Sequence, residues 1–135
     1  MMFGEEIENE IKEFINKIGN IHYHSDSNYG VEYLNNNFRF LGTKIDLSKE
    51  KNYVSYDFKK NNFLDMIKFF EFKDIKENIL ASNEIHYVGD GITNSELVFS
   101  GKEFFKLLEF LFVNIPEHHY FFDMEKKWCL LIATE

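Results

Sequence analysis

Five histidines provide the side chains best suited to bind a metal ion, and His22 and His24 stand two residues apart. On a β-strand that spacing puts both imidazoles on one face, so the pair could supply half of a zinc site. A third ligand would come from His118, His119, Cys129 or an acid, and His118 and His119, being adjacent, point to opposite faces of a strand. Structural histidines are the favoured interpretation, and a metal site is the alternative.

Catalytic motifs are missing from the sequence. The segment Gly89-Asp90-Gly91 lacks the spacing of a phosphate-binding loop and a following helix, so it predicts a tight turn. Cys129 lies in an apolar run typical of a buried strand, which favours an inert thiol over a nucleophile. No nucleophile-elbow, zinc-protease or paired-cysteine motif occurs. We therefore expect a protein that is not an enzyme and uses no cofactor.

Acidic residues dominate both ends of the chain, whose net charge is −8. Residues 1–43 contain seven acids and three bases, and residues 84–135 contain nine acids and four bases. The middle segment, 44–83, is nearly balanced, with seven acids and eight bases. Binding to nucleic acid is not expected, because it requires a basic patch. The charge suits a basic protein partner, although the need for solubility also explains an acidic surface.

The length of 135 residues fits one domain, residues 1–135. No run of about 18 apolar residues exists, so no membrane span or membrane partner is expected. The first ten residues are acidic rather than basic, which excludes a typical secretory signal. The single cysteine excludes an internal disulfide. These features together predict a cytoplasmic protein.

The segment from Leu97 to Ala133 contains the clearest helix and the clearest strand pair. Ser100 and Glu103 have the spacing of a capping box before an apolar run, which predicts a helix over 101–114. Its apolar surface is wide, so we expect it to pack between a sheet and a neighbouring helix. Pro116 ends the helix and favours an extended Ile115.

Beyond the proline, His118–Phe122 and Trp128–Thr134 are strand-like and flank a polar turn at 123–127. They predict an antiparallel hairpin whose second strand is buried on both faces. The residues predicted to be buried are Trp128 and three helix residues, Phe105, Leu108 and Leu111.

The remaining helices are predicted from apolar residues at helical spacing. Glu5–Ile18 is amphipathic and ends at Gly19-Asn20. Leu64–Leu80 follows a possible cap at Asn61 or Asn62 and leaves room for a break at 72–74.

The remaining strands are short and punctuated by turns. A loop at 35–37 separates two of them, and a turn at 89–94 separates two others. The predicted strands are Val31–Leu34, Phe38–Leu41, Lys44–Leu47, Tyr53–Phe58, Glu84–Val88 and Glu96–Ser100. The pattern predicts a single α+β domain with an antiparallel sheet packed against two or three helices.

Two stretches flank the capped helix: Ile85–Asp90 (IHYVGD), and Pro116–Phe122 (PEHHYFF) followed by Trp128-Cys129-Leu130. In order and spacing they resemble small bacterial immunity proteins of polymorphic-toxin and contact-dependent growth inhibition systems. The resemblance covers the C-terminal third to half of the chain. It implies a protein that binds one cognate toxin domain, often a nuclease, and blocks it without chemistry of its own.

Acids on loops are the candidates for such a contact, because loops can reach into a cleft. Their carboxylates can bind the cationic groups with which a nuclease contacts phosphate. Ordinary turn residues are the competing interpretation. The alternative function is a small-ligand or metal-binding module built on the histidines with Tyr23, Tyr29 and Tyr87. The predicted partner-binding residues are Tyr23, Asp26, Tyr29, Glu84, Asp90 and Glu96.

Overall fold

An antiparallel sheet of five strands forms the centre of the computed structural model, which describes residues 4–25, 27–41, 44–49, 52–59, 62–72, 74–89, 92–115 and 118–133. Every pair of neighbouring strands in this sheet is antiparallel. The strands, in order across the sheet, are β1 (His22–His24), β5 (Ile92–Phe99), β4 (Ile85–Gly89), β6 (His119–Asp123) and β7 (Trp128–Ile132). A separate two-stranded ribbon consists of β2 (Phe40–Leu41) and β3 (Lys44–Ile45).

Helices cover both faces of the sheet, and the predicted α+β class is confirmed. On one face, the side chains of Tyr87, Leu97 and Phe121 lie in register and pack with the helical layer. On the other face, Val88 and Phe122 pack with Leu34 of the helix at 29–37. The helices are α1 (Gly4–Ile18), α2 (Tyr29–Asn37), α3 (Phe63–Ile67), α4 (Ile75–Leu80) and α5 (Gly101–Asn114), with 3-10 turns at Leu47–Lys49 and Lys68–Glu71.

Helix α5 begins and ends at the predicted residues and packs on two sides, as expected. The ring centroid of Phe104 lies 4.9 Å from that of Phe121 on β6 and 5.7 Å from that of Phe70 in the adjacent 3-10 turn. Leu108 and Leu111 are fully buried, as predicted, because both sides of the helix are covered. Phe105 is only half-buried, so its predicted burial is partly right.

The predicted capping box does not form at the start of α5. The hydroxyl of Ser100 donates to Glu103 Oε2 at 2.9 Å instead of accepting from a helix N–H. The Gly101 N–H donates to the Ser82 carbonyl at 2.9 Å, which ties α5 to the end of α4. A Cβ at Gly101 would lie 2.8 Å from the Leu80 Cα, so only glycine lets the two helices approach this closely.

Helix α1 is confirmed, with one residue added at its start. Its end is where the sequence predicts it, since Gly19 (φ +72°) and Asn20 (φ +60°) take left-handed conformations that stop a helix. The ring of Phe14 stacks on Phe110 of α5 at 4.2 Å, so α1 lies on the same side of the sheet as α5.

Helix α2 corrects the sequence-based prediction. Val31–Leu34 and Phe38–Leu41 were expected as strands around a loop at 35–37, yet 29–37 is helical and only Phe40–Leu41 forms a strand. The reason is tertiary. Gly30 and Leu34, one helical turn apart, are the buried residues of α2, and a helix places both against the sheet.

The segment between β3 and α4 is more broken than predicted. Tyr53–Phe58 was expected as a strand, but residues 52–59 form neither helix nor strand. The Lys44–Leu47 strand shortens to β3, and Leu47 begins a 3-10 turn. The helix predicted over Leu64–Leu80 is divided into α3, a 3-10 turn and α4, with the break after Glu71. Asn62 is the cap of α3, and its side chain accepts from the Asp65 N–H at 3.0 Å.

The hairpin of β6 and β7 is confirmed, with Asp123 opposite Trp128. Burial of β7 on both faces is wrong: β7 is the edge strand of the sheet, and most of its residues are only half-buried. Four of its five residues, Trp128 and Cys129 among them, are half-buried, and Ile132 is buried. The other predicted strand pair forms β4 and β5, with β5 beginning at Ile92, inside the expected turn.

Candidate partner-binding surface

The start of α2 is fixed to the sheet by a carboxylate. Glu96 on β5 is buried at 4% exposure, and its Oε2 accepts from the Gly30 N–H at 2.9 Å. A Cβ at Gly30 would lie 2.9 Å from that oxygen and 3.0 Å from the Phe122 ring. Glycine therefore lets the first turn of α2 lie directly on β5 and β6. The negative charge of Glu96 also suits the positive end of the helix dipole.

His86 on β4 joins this contact to an exposed acid. Its Nδ1 lies 3.1 Å from Glu96 Oε1, and its Nε2 lies 2.8 Å from Glu84 Oε1. The ring stacks on Phe122 at 5.3 Å and is almost completely buried, whereas the Glu84 side chain is 67% exposed. We call the continuous set of contacts Glu84–His86–Glu96–Gly30 the His86 bridge. The Glu84 end of the bridge is exposed to solvent, and the Glu96 end accepts a hydrogen bond from Gly30 in the first turn of α2.

The first turn of α2, which contains Gly30 of the bridge, also carries exposed residues. Tyr29 precedes Gly30 and is 61% exposed, Val31 is 44% exposed, and Glu32 is exposed. We define the α2 surface as Tyr29, Val31 and Glu32 together with Glu84. A large exposed tyrosine on a fixed helix is the kind of side chain that is enriched at protein interfaces.

Lysine and arginine are missing from the stretches that contain the α2 surface and the His86 bridge, although the exposed Arg39 lies just after the end of α2. Residues 18–38 and 77–101, which include β1, α2, β4 and β5, contain six acids and neither basic residue. The α2 surface therefore combines two acids with an exposed tyrosine and an exposed valine. Such a surface attracts cationic groups at long range and offers them carboxylates at contact.

The predicted histidine pair does form on a strand, with both imidazoles exposed on the face that carries Glu96 and His86. The Cα of His24 is paired with that of Glu96 across β1 and β5. Within the described ranges, however, no three histidine, cysteine, aspartate or glutamate side chains form a group that could hold a metal ion. The geometry gives the metal-binding interpretation no support.

His118 and His119 are both buried, and His119 belongs to an internal contact. Its Nε2 donates to the Ile115 carbonyl at 2.7 Å, and its Nδ1 lies 2.6 Å from the Tyr87 hydroxyl. Tyr87, expected to help to bind a ligand, is fully buried. In the described structure this tyrosine and His119 hold the helical layer to the sheet and face no solvent.

The six predicted partner-binding residues have different positions. Tyr29 and Glu84 belong to the α2 surface, and Glu96 lies beneath it. Tyr23 is on the opposite face of the sheet, where its hydroxyl donates to Ser95 Oγ at 3.1 Å and Lys12 Nζ lies 5.0 Å from its ring centroid. The two remaining residues, Asp26 and Asp90, lie outside the described residues.

Glu96 was predicted both in a strand and as a partner-binding acid; its strand position is confirmed, but its side chain is buried. It lies inside β5, whose alternation sends Leu97 and Phe99 to the main core and Glu96 to the α2 side. Sequence reasoning missed His86 and Gly30 as its partners. The alternation of His86 with Tyr87 on a predicted strand could indicate the face of His86, but nothing local indicates Gly30, because α2 was not predicted.

Aromatic packing supports α2 from below. The Tyr33 ring stacks on Phe122 at 5.2 Å. Burial raises the pKa of the Tyr33 phenol, and the nearby Cys129 and Asp123 raise it further. Tyr33 therefore stays neutral under ordinary conditions and contributes packing rather than charge.

Comparison of the chain with protein-family models, with curated proteins and with solved structures finds no match. Among the described residues, no helix is both long enough and apolar enough to cross a membrane.

Proposed function

We propose that this chain is an immunity protein of a bacterial polymorphic-toxin or contact-dependent growth inhibition system. It binds one cognate toxin domain in the cytoplasm, a nuclease in the favoured case, and blocks it by covering its active site or its substrate surface. The action is occlusion, so the chain needs no catalytic residue and no cofactor.

The observation that carries the proposal is the α2 surface. It combines an exposed tyrosine and valine with two exposed acids, on two stretches of the chain that contain no lysine or arginine. A nuclease binds phosphate through cationic groups, so an acidic surface on the inhibitor is complementary in charge to the nuclease surface that it has to cover. The resemblance of Ile85–Asp90 and of the C-terminal hairpin to immunity proteins supports the same assignment.

Preorganisation strengthens this argument. Helix α2 is held by the Glu96–Gly30 hydrogen bond and by Leu34 packed with Val88 and Phe122, so its outer residues are presented in one orientation. A partner that binds a rigid surface does not have to order it, which reduces the entropic cost of association. Tyr29 is the expected centre of the contact, and the acids are expected at its rim.

The test begins with the reading frame directly upstream of the gene. Its C-terminal domain is expressed with the complete chain, co-purified, and assayed for nuclease activity with and without the chain. We expect a stable one-to-one complex and loss of activity. If the neighbour encodes no toxin-like domain and no stable complex forms with proteins of the native host, the proposal is abandoned.

Matched variants then locate the binding surface. Tyr29→Ala should weaken binding by about 2 kcal/mol or more, as expected of an aromatic anchor. Glu84→Lys should mainly slow association, because it reverses a rim charge, and the effect should shrink at high salt. The controls are Val113→Ala and Glu109→Lys, both at exposed positions of α5 on the opposite side of the sheet. Equal effects at test and control positions would show that α2 is not the contact surface.

A further inference from the structure

The imidazole of His86 lies between two carboxylate oxygens, one on each ring nitrogen, at 2.8 Å and 3.1 Å. An ionised carboxylate only accepts hydrogen bonds, and a neutral imidazole has a single N–H. With both acids ionised, the two contacts are therefore hydrogen bonds at the same time only when both ring nitrogens carry a proton. When both acids are ionised, the complete His86 bridge therefore contains an imidazolium.

Glu96 is the group that depends on this positive charge. Its carboxylate is buried beneath α2, where an unpaired charge is costly. In the described structure its ion pair is with His86, and its other oxygen accepts from the Gly30 amide. Loss of the ring proton removes the positive charge that pairs with Glu96. It also leaves the ring with one N–H to donate to the two carboxylates.

We propose that the His86 bridge is a proton-dependent latch for the start of α2. The protonated ring holds the Glu96 carboxylate against the Gly30 N–H. When the ring loses its proton to solvent, Glu96 loses its positive partner and its carboxylate turns toward solvent, so its bond to Gly30 weakens. The latch is a property of this chain alone and does not depend on the proposed toxin partner.

The groups around the ring fit this role. Glu84, which precedes β4, and Glu96 on β5 are the charged groups in contact with it. Phe122 of β6 stacks on the ring without charge, and α2 contributes the Gly30 amide beyond Glu96. On β1, Val98 separates His22 from His86. His24, also on β1, is exposed and is the cross-strand neighbour of Glu96 on this face. Both charged contacts are acidic, so with both carboxylates ionised the bridge is complete only with a positive ring.

The direction of the pH effect follows from the proton count. The latched state holds one proton more than the released state, so rising pH favours release. The first turn of α2 should therefore open more often as the ring is deprotonated, while the sheet beneath it stays intact. Because Tyr29 and Val31 belong to that turn, the same proton controls how rigidly the α2 surface is presented.

The test is amide hydrogen exchange of Gly30 in the complete chain over a pH series, expressed as a protection factor so that the intrinsic pH dependence cancels. The protonation of the His86 ring is followed in the same samples by nitrogen NMR. We expect Gly30 protection to fall by about tenfold, the value of one charge-assisted hydrogen bond, in step with loss of a ring proton. Two protonated ring nitrogens should be seen wherever Gly30 is protected.

His86→Gln keeps a polar side chain but cannot titrate, so its Gly30 protection should be low and should not follow the wild-type transition. His22→Gln is the matched control: it removes an exposed histidine of the same sheet face and should keep the wild-type profile. Gly30 protection that stays constant while the ring titrates would overturn the latch. So would a wild-type transition in the His86→Gln chain.

If His86→Gln fails to fold, Glu84→Gln replaces it, because that position is exposed and still offers Nε2 an acceptor. Removing this negative charge weakens the hold on the ring proton, so the Gly30 transition should move to lower pH. An unmoved transition in Glu84→Gln would contradict the latch as stated.

Discussion

Glu96 accepts a hydrogen bond from the Gly30 amide at 2.9 Å, although the two residues are 66 positions apart in the chain. This contact brings α2 onto the face of the sheet that carries Glu96 and His86. It also places Tyr29 at the surface. Both the α2 surface and the His86 bridge depend on this contact between α2 and β5.

Gly30→Ala tests the approach. Its Cβ would meet Glu96 Oε2 at 2.9 Å, the Phe122 ring at 3.0 Å and Val88 Cγ1 at 3.1 Å, so α2 must move. We expect a loss of about 1–3 kcal/mol in the free energy of unfolding, as for overpacked cores. Urea denaturation measures it. Asn36→Ala, at an exposed position of the same helix, is the control, and it should be neutral or slightly stabilising.

Leu108→Ala tests the position of the main core. The side chain is fully buried in the centre of α5, so the substitution should cost about 2–5 kcal/mol. Val113→Ala on the same helix is 68% exposed and should change stability by less than about 0.5 kcal/mol. Thermal and urea unfolding of both variants give the comparison. Similar losses in the two would mean that α5 is rotated from the orientation described.

Tyr87→Phe tests the buried hydroxyl. The Ile115 carbonyl can only accept, so His119 Nε2 carries a hydrogen, and in the neutral ring Nδ1 accepts from Tyr87. Removing this donor should cost about 1–3 kcal/mol of stability with little change in shape. Tyr29→Phe, at an exposed tyrosine, is the matched control and should be close to neutral. A neutral Tyr87→Phe would show that the hydroxyl contributes little to the fold.

Asp65 provides a pH-dependent prediction. The Lys59 N–H donates to its carboxylate at 2.6 Å and Tyr56 donates at 3.0 Å, and these bonds, with nearby Lys68, lower the pKa of Asp65 below the ordinary value of 3.8. The folded protein therefore holds this proton less tightly than the unfolded chain. The resulting stability is present above the ordinary carboxyl pKa and is lost as pH falls through the lowered one.

Asp65→Asn should accordingly flatten the acid side of the stability profile, measured by thermal unfolding from neutral pH downward. The comparison is Asp57→Asn, an exposed position in the segment that Asp65 holds. An acid branch as steep in Asp65→Asn as in the wild type would remove Asp65 as its source.

Local signals were sufficient for part of the fold. Helix α5 and the β6–β7 hairpin follow from neighbouring residues: a long apolar run, a proline, and two strand-like runs around a polar turn. Their boundaries were predicted almost residue by residue, because propensity, periodicity and turn residues agree there. The end of α1 at Gly19 and Asn20 belongs to the same class.

Where local signals were weak, tertiary contacts decided the secondary structure and the burial of the segment. Residues 29–37 contain too few apolar positions to distinguish a strand from a helix, and burial of Gly30 and Leu34 against the sheet selects the helix. The expectation that β7 is buried on both faces failed for a related reason. An apolar run shows that a strand packs on something but does not show whether a second strand lies beside it.

The sequence by itself determined the class of the protein: an acidic α+β domain organised around α5, without a catalytic motif, and with Tyr29 and Glu84 among the candidate contacts. Only the tertiary structure could assign Glu96 to the interior, join it to His86 and Gly30, and place Tyr23 and Tyr29 on opposite sides of the sheet. The physical reason is the sequence distance over which each kind of interaction acts. Helix periodicity and turn chemistry act over a few residues, whereas the pairing of a carboxylate with an amide 66 residues away depends on strand register and on which helix covers which face.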